Sequence, residues 1–238
     1  MAALDAAQHA LPFAGESDRG DFIELWPRLA KALGETGTMV SISFAAAAVI
    51  GTLLGLLAYA TRPGNLLQNK VVFWIINGVI NLIRPVPFII LAVSIIPFTR
   101  LIVGTSIGAV AAAVPLTIIA SVAVARIAES NLVAVDPGTV EAGKAMGASP
   151  VRILFTIVAP EALGPLVLGL TYIFVALLDA SAVAGAIGGG GLGQLALTYG
   201  YAHFDWFTVV VVVIVLIVLV QLAQALGNFI ARRVMHTR

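Results

Sequence analysis

Residues 140–167 read VEAGKAMGASPVRILFTIVAPEALGPLV. The stretch sets Glu141, Lys144, Arg152 and Glu161 among glycines and prolines, in a chain that otherwise runs from one apolar block to the next. No charge occurs over 36–61, 101–125 or 206–231, and each of these windows exceeds the ~20 residues that carry a helix across a bilayer. Hydrophobic residues make up 60% of the 238 and charged residues 11%, against about 25% charged in an ordinary soluble chain. Mean hydropathy is +1.05. The chain therefore reads as an all-α polytopic membrane protein.

Several classes fall away at once. A net charge of +1 offers no basic surface for nucleic acid. The absence of cysteine removes disulfides, thiol catalysis and thiolate metal sites. The N-terminus, MAALDAAQHALPFAGESDRGD, lacks the basic region and apolar core of a signal peptide. No metal, cofactor or catalytic triad is expected.

Residues 1–20 read as a polar tail. Phe22, Leu25, Trp26, Leu29 and Leu33 then recur at helical spacing between Glu24, Arg28, Lys31 and Glu35, which predicts an amphipathic interfacial helix over 21–35. The remainder, 36–238, holds five predicted spans. The first runs over 38–59 and stops at the Pro63-Gly64 turn. The second begins near Gly78 and reaches Thr99, made irregular by Pro85, Pro87 and Pro97. Lys70, Asn77, Asn81 and Arg84 give this region one polar face, and Arg84 is placed a turn or two inside the boundary, able to snorkel out. The third covers 105–126, the fourth 162–184 and the fifth 207–230.

Five spans put the termini on opposite sides. With the C-terminus inside, the cytoplasmic side holds Arg62, Lys70, Arg84, Arg126, Lys144, Arg152, Arg232, Arg233 and Arg238. Only Arg19, Arg28, Lys31 and Arg100 remain outside. That excess satisfies the positive-inside rule, so the N-terminus is expected to be periplasmic and residues 140–167 cytoplasmic.

Within the cytoplasmic segment, Asp136-Pro137 is an N-cap followed by proline at the first helical position. A short helix is predicted through Met146, with Gly147 ending it. Ser149-Pro150 repeats the start signal, and Pro160 is where the second helix bends or gives way to the fourth span. A bare connector needs only a few residues, whereas 136–160 builds two capped helices.

The order Glu141-Ala142, Gly147 and Ile157-Val158-Ala159-Pro160 resembles the EAA motif of bacterial ABC-importer permeases, written EAA, three residues, G, nine residues, I-x-L-P. Gly143 stands where that motif has its second alanine, and Ala159 where it has leucine. IRPVPFIILAVSIIPFTRLIVGTSIGAVAAAVPLTIIA, EAGKAMGASP and GAIGGGGLGQLALTYGY extend the likeness to the methionine-importer permease family over most of the chain. The resemblance implies a non-enzymatic inner-membrane permease that forms a homodimer. Its partners would be two ATPase subunits, which hydrolyse the ATP, and a lipid-anchored or periplasmic substrate-binding protein. It also implies that the helix from Pro137 is the lever seated in an ATPase groove. Ala142, Gly143, Ala145 and Ala148 would allow close seating, Glu141 and Lys144 would supply polar contacts, Gly147 the turn and Pro160 the end of the motif.

Other features have bland readings beside the functional ones. Asp179 lines the translocation path, or it sits at the outer interface within reach of water. An ion-coupled amino-acid carrier using Asp179 is the rival function, though no internal repeat supports it. Arg84 is a second path-lining candidate. The glycine run 188–191 lacks the Lys-Ser/Thr of a phosphate loop and reads as a turn or a close helix contact. His203 and Asp205 read as a solvated loop, with Asp205 capping the fifth span. Gly51 and Gly55 form a GxxxG pattern for helix packing.

Overall fold

The computed structural model describes residues 22–236, and among these every regular element is helical. In chain order they are α1 (Phe22–Thr61), α2 (Lys70–Ile83), α3 (Phe88–Ser94), α4 (Ile96–Val103), α5 (Ala109–Val133), α6 (Pro137–Ala145) and α7 (Pro150–Ile153). A π-helical turn, Leu154–Val158, then leads into α8 (Ala159–Ala184). A second π turn, Gly185–Gly189, precedes α9 (Gly191–Gln194), the π-helical Leu195–Tyr201 and α10 (Trp206–His236). Among the described residues four helices are long and apolar enough to cross a membrane, and α2 with α3 passes the same test only as a pair bent by 104°. The expected tail over 1–20 lies outside the described residues.

α5 is the centre of the bundle. Over half of its span is buried, 56%, against 6% for α10, which leaves most of its surface exposed. α1 lies along it at the distance that glycine permits. A Cβ on Gly51 would fall 2.5 Å from Val124 Cβ, and one on Gly55 would fall 2.6 Å from the Ala125 carbonyl oxygen. The Gly51/Gly55 spacing is therefore a packing motif. About two turns earlier on α1, the Ser43 hydroxyl bonds the Met39 carbonyl at 2.7 Å and reaches the Ala113 carbonyl at 3.2 Å. Met39, Val40, Leu116, Val124, Ile173 and Leu177 fill the space between α1, α5 and α8.

Three expected elements differ from the observed ones. The interfacial helix over 21–35 is not separate: it continues into the first span as α1, whose 40 residues reach about 60 Å, twice the hydrocarbon core. Its apolar recurrence packs on protein rather than on a membrane surface, because Leu25, Leu29 and Ala32 are buried with Leu192, Leu195 and Val212. The second span is not one irregular helix. α2 ends at Ile83, and α3 departs at 104° to it, because Pro85 and Pro87 bring no backbone N–H to continue the ladder. Arg84 therefore sits exposed at the break. The fourth span has no stop at Pro160: helix runs from Pro150 to Gly189. The Ala159 N–H bonds the Leu154 carbonyl, five residues back. That wider turn accommodates the proline ring without ending the helix.

The third span also runs further than 105–126. Gly104 closes α4 in the left-handed region, α5 starts at Ala109, and it continues to Val133. Arg126 and Glu129 do not stop it, since they pair with each other at 2.6 Å. An apolar cavity of about 550 Å³ opens between α1, α8 and α10, with Phe44, Phe174 and Leu222 among its walls.

Candidate functional site: the short helix α6 and its seat

α6 begins as its sequence requires. Asp136 Oδ1 accepts from the Gly138 N–H at 3.0 Å, and the Thr139 hydroxyl donates to the Asp136 carbonyl at 2.7 Å. Pro137 occupies the first turn, where no N–H is missed. Its end is a Schellman motif. The Ala148 N–H bonds the Gly143 carbonyl at 3.1 Å, and the Gly147 N–H bonds the Lys144 carbonyl at 2.9 Å. Gly147 has φ +75, and nothing lies within 4 Å of where a Cβ would be. The glycine is thus required by backbone conformation and not by space. Ser149 Oγ then accepts from the Arg152 N–H, which opens α7.

The inner side of α6 is fixed to the bundle. Gly143 is buried, and a Cβ on it would lie 2.9 Å from Ile157 Cδ1 and 3.2 Å from Ile153 Cγ1. Val140 and Ala148 pack beside Tyr59 and Ala60 of α1, Leu132 and Val135 at the end of α5, and Ile153, Leu154 and Val158. α6 therefore rests on three spans at once. Its outer side carries Glu141, Ala142, Lys144, Ala145 and Met146, all exposed. Met146 is 78% exposed.

Of the expected contact residues, Glu141, Ala142, Lys144 and Ala145 thus share the open face, with Gly147 at its edge. Gly143 and Ala148 do not: they seat α6 on its own protein. Pro160 is half-buried in the span behind and touches neither face. Arg84 and Asp179 lie elsewhere. Asp179 is exposed on α8 in one stripe with Leu168, Tyr172, Ala176 and Val183, which recur three or four apart. Asp205 caps α10 through the Thr208 N–H at 3.1 Å, and among the described residues no three potential ligands gather for a metal.

Sequence reasoning missed one polar cluster. Arg126 pairs with the buried Glu129 and donates to Asn81 Oδ1 at 2.7 Å, tying α2 to α5. Opposite charges three apart at a span's end were the available signal.

Residues 38–236 match the family described as the binding-protein-dependent transport system inner membrane component. The chain belongs to that family, the permeases of ABC importers, and this decides against an ion-coupled carrier built on Asp179. Within it, the chain belongs with the methionine-type permeases. It is 44% identical over 208 residues to the probable D-methionine transport system permease protein MetI of Vibrio cholerae, covering 87% of this chain and 92% of the other. Against MetI of Escherichia coli K12 identity is 43% over 157 residues, 66% and 72% of the two chains. A chain of the MetNI methionine ABC transporter, solved in inward-facing conformations, superposes with a TM-score of 0.85 at 41% identity, over 88% of this chain and 97% of that one. An amino-acid ABC transporter chain at 20% identity and TM-score 0.75 shares the fold.

Proposed function

We propose that this protein conducts methionine as one of two identical permease subunits, each engaged by an ATPase subunit through the open face of α6. The observation that carries the reading is the two-sided character of α6. Gly143 and Val140 clamp it to the ends of α1, α5 and α7, while Glu141, Lys144 and Met146 remain free to meet a partner. Five spans are few to enclose a path, which favours two copies around it. The positive-inside count supports a cytoplasmic α6 and C-terminus and a periplasmic N-terminus. A binding protein would deliver the amino acid to the end of the bundle away from α6.

The physics of coupling follows from the seat. ATP-driven closure of the partners moves α6, and α6 moves the three spans it rests on. Only contacts that differ between the two states shift the equilibrium between access from either side. α7, the π turn and α8 form one helical run from Pro150 to Ala184, so displacement at α6 is carried through most of the depth of the membrane.

The test is uptake of radiolabelled methionine into proteoliposomes holding the permease, its ATPase and its binding protein. Uptake is expected to require hydrolysable ATP, and Glu141→Lys or Gly147→Val should lower it about tenfold or more while both proteins still insert. Uptake that ignores ATP and collapses with the proton gradient would overturn the assignment. Normal uptake by both variants would remove α6 from the coupling.

A further inference from the structure

The end of the bundle away from α6 carries a second constellation that coupling at α6 leaves unused. Gly188, Gly190 and Gly191 all adopt positive φ, at 97, 82 and 79. The Gly191 N–H donates to Glu35 Oε2 at 2.7 Å, and the Leu192 N–H donates to Thr36 Oγ1 at 2.9 Å. Two neighbouring side chains of α1 thus bind two neighbouring amides far away in sequence. The approach leaves no room for side chains: a Cβ on Gly190 would lie 2.5 Å from Glu35 Oε2, and one on Gly191 would lie 2.5 Å from Thr36 Oγ1. On the other flank the Gly188 carbonyl accepts from the Gly108 N–H at 2.8 Å. A Cβ on Gly189 would meet Ala112 Cβ at 3.0 Å. The glycine run is therefore wedged between α1 and the start of α5.

The part of α1 before the membrane is the strut for this wedge. Leu25, Leu29 and Ala32 pack on Leu192 and Leu195. The Arg28 guanidinium stands 4.8 Å over the Tyr199 ring, which stacks on His203 at 6.0 Å between centroids. Lys31 lies 3.8 Å from Glu35 on the same strut.

We propose that Glu35, with Thr36, is a positioning residue for transport: the pair latches the glycine segment across this end of the bundle, and the latch opens when this end opens. The segment follows the helical run from Pro150 through the π turn to the end of α8 at Ala184, and kinks at Ile187 and Gly188; the other end of that run meets α6. Motion imposed at α6 thus arrives at a joint where two side-chain-to-backbone bonds, at Gly191 and Leu192, add to the apolar packing of Leu25, Leu29 and Ala32 on Leu192 and Leu195. Few, discrete bonds of this kind allow two arrangements with a sharp exchange between them.

The experiment uses the complete transporter in proteoliposomes. The chain has no cysteine, so a single Ile187→Cys reports on the segment through its rate of reaction with an aqueous maleimide. Glu35→Ala should speed labelling and lower uptake about tenfold, since the lost bond is charge-assisted, while ATP hydrolysis stays within about twofold. Glu35→Gln keeps an acceptor for the Gly191 N–H and should restore both readouts to within about threefold of the parent. Thr36→Val, a milder change, should give about a threefold effect that Thr36→Ser reverses. Parental labelling and uptake in Glu35→Ala would overturn the proposal. So would a Gln variant as defective as the Ala variant. Uptake that falls only in step with the amount of assembled complex, at unchanged labelling, would make Glu35 an ordinary fold support and equally overturn it.

Discussion

At residue 143 α6 meets its seat through a glycine. The family motif has alanine here, and this chain has glycine facing Ile153 and Ile157. The nearest atom to an added Cβ, at 2.9 Å, is the tip of the flexible Ile157 side chain. Gly143→Ala should therefore be accommodated by a small shift of Ile157, with uptake within about twofold of the parent and thermal stability changed by less than about 1 kcal/mol. Gly143→Leu should lift α6 off its seat and abolish ATP-dependent uptake, measured in the same vesicles. Gly147 obeys a different rule. Space is free around it, so Gly147→Asn should transport better than Gly147→Val, because asparagine tolerates the left-handed region at lower cost.

At the scale of elements, α1 and α5 meet through glycine, and α2 joins α5 through the Arg126–Asn81 hydrogen bond and the packing of Ile80 on Val122 and Ala125. A Cβ on Gly55 would fall 2.6 Å from both the Ala125 carbonyl oxygen and Ala128 Cβ, and backbone cannot step aside as an isoleucine tip can. Gly55→Val should remove most assembled protein from the membrane fraction, read by fluorescence-detected gel filtration. The Arg126–Glu129–Asn81 cluster is a graded case. Glu129→Ala strands a half-buried guanidinium and should cost about 3 kcal/mol, seen as a lower melting temperature of the detergent-purified complex. Asn81→Ala removes one hydrogen bond and should cost about 1 kcal/mol. Neither change touches the exposed face of α6, so ATPase binding should survive in the protein that remains.

For the whole molecule, the α6 seat and the glycine wedge occupy opposite ends of one bundle, joined by the helical run from Pro150 to Ala184. The topology is directly checkable because the parent chain offers no thiol. Met146→Cys, 78% exposed in the parent, should react in right-side-out vesicles only with a membrane-permeant maleimide. Tyr201→Cys, 68% exposed in the parent, should react with an impermeant one. The reverse pattern would invert the orientation drawn from the basic residues.

The amino-acid sequence by itself determined that the chain is a helical membrane protein, where its apolar spans lie, and that residues 136–160 form a capped helix, a glycine turn and a second helix start. These properties are local: apolar length, N-caps at Asp136 and Ser149 and a left-handed Gly147 are set within a few residues. Tertiary structure alone decided that 22–35 is a strut on the glycine segment, that Gly143 faces inward, that Arg126 finds both Glu129 and Asn81, and that the prolines break α2 from α3 yet leave the fourth span whole. Each of those outcomes depends on which surface arrives opposite a given side chain. An amphipathic stripe such as Leu25, Leu29 and Ala32 has the same period whether it meets lipid or protein, and only the packed bundle supplies Leu192 and Leu195 to cover it.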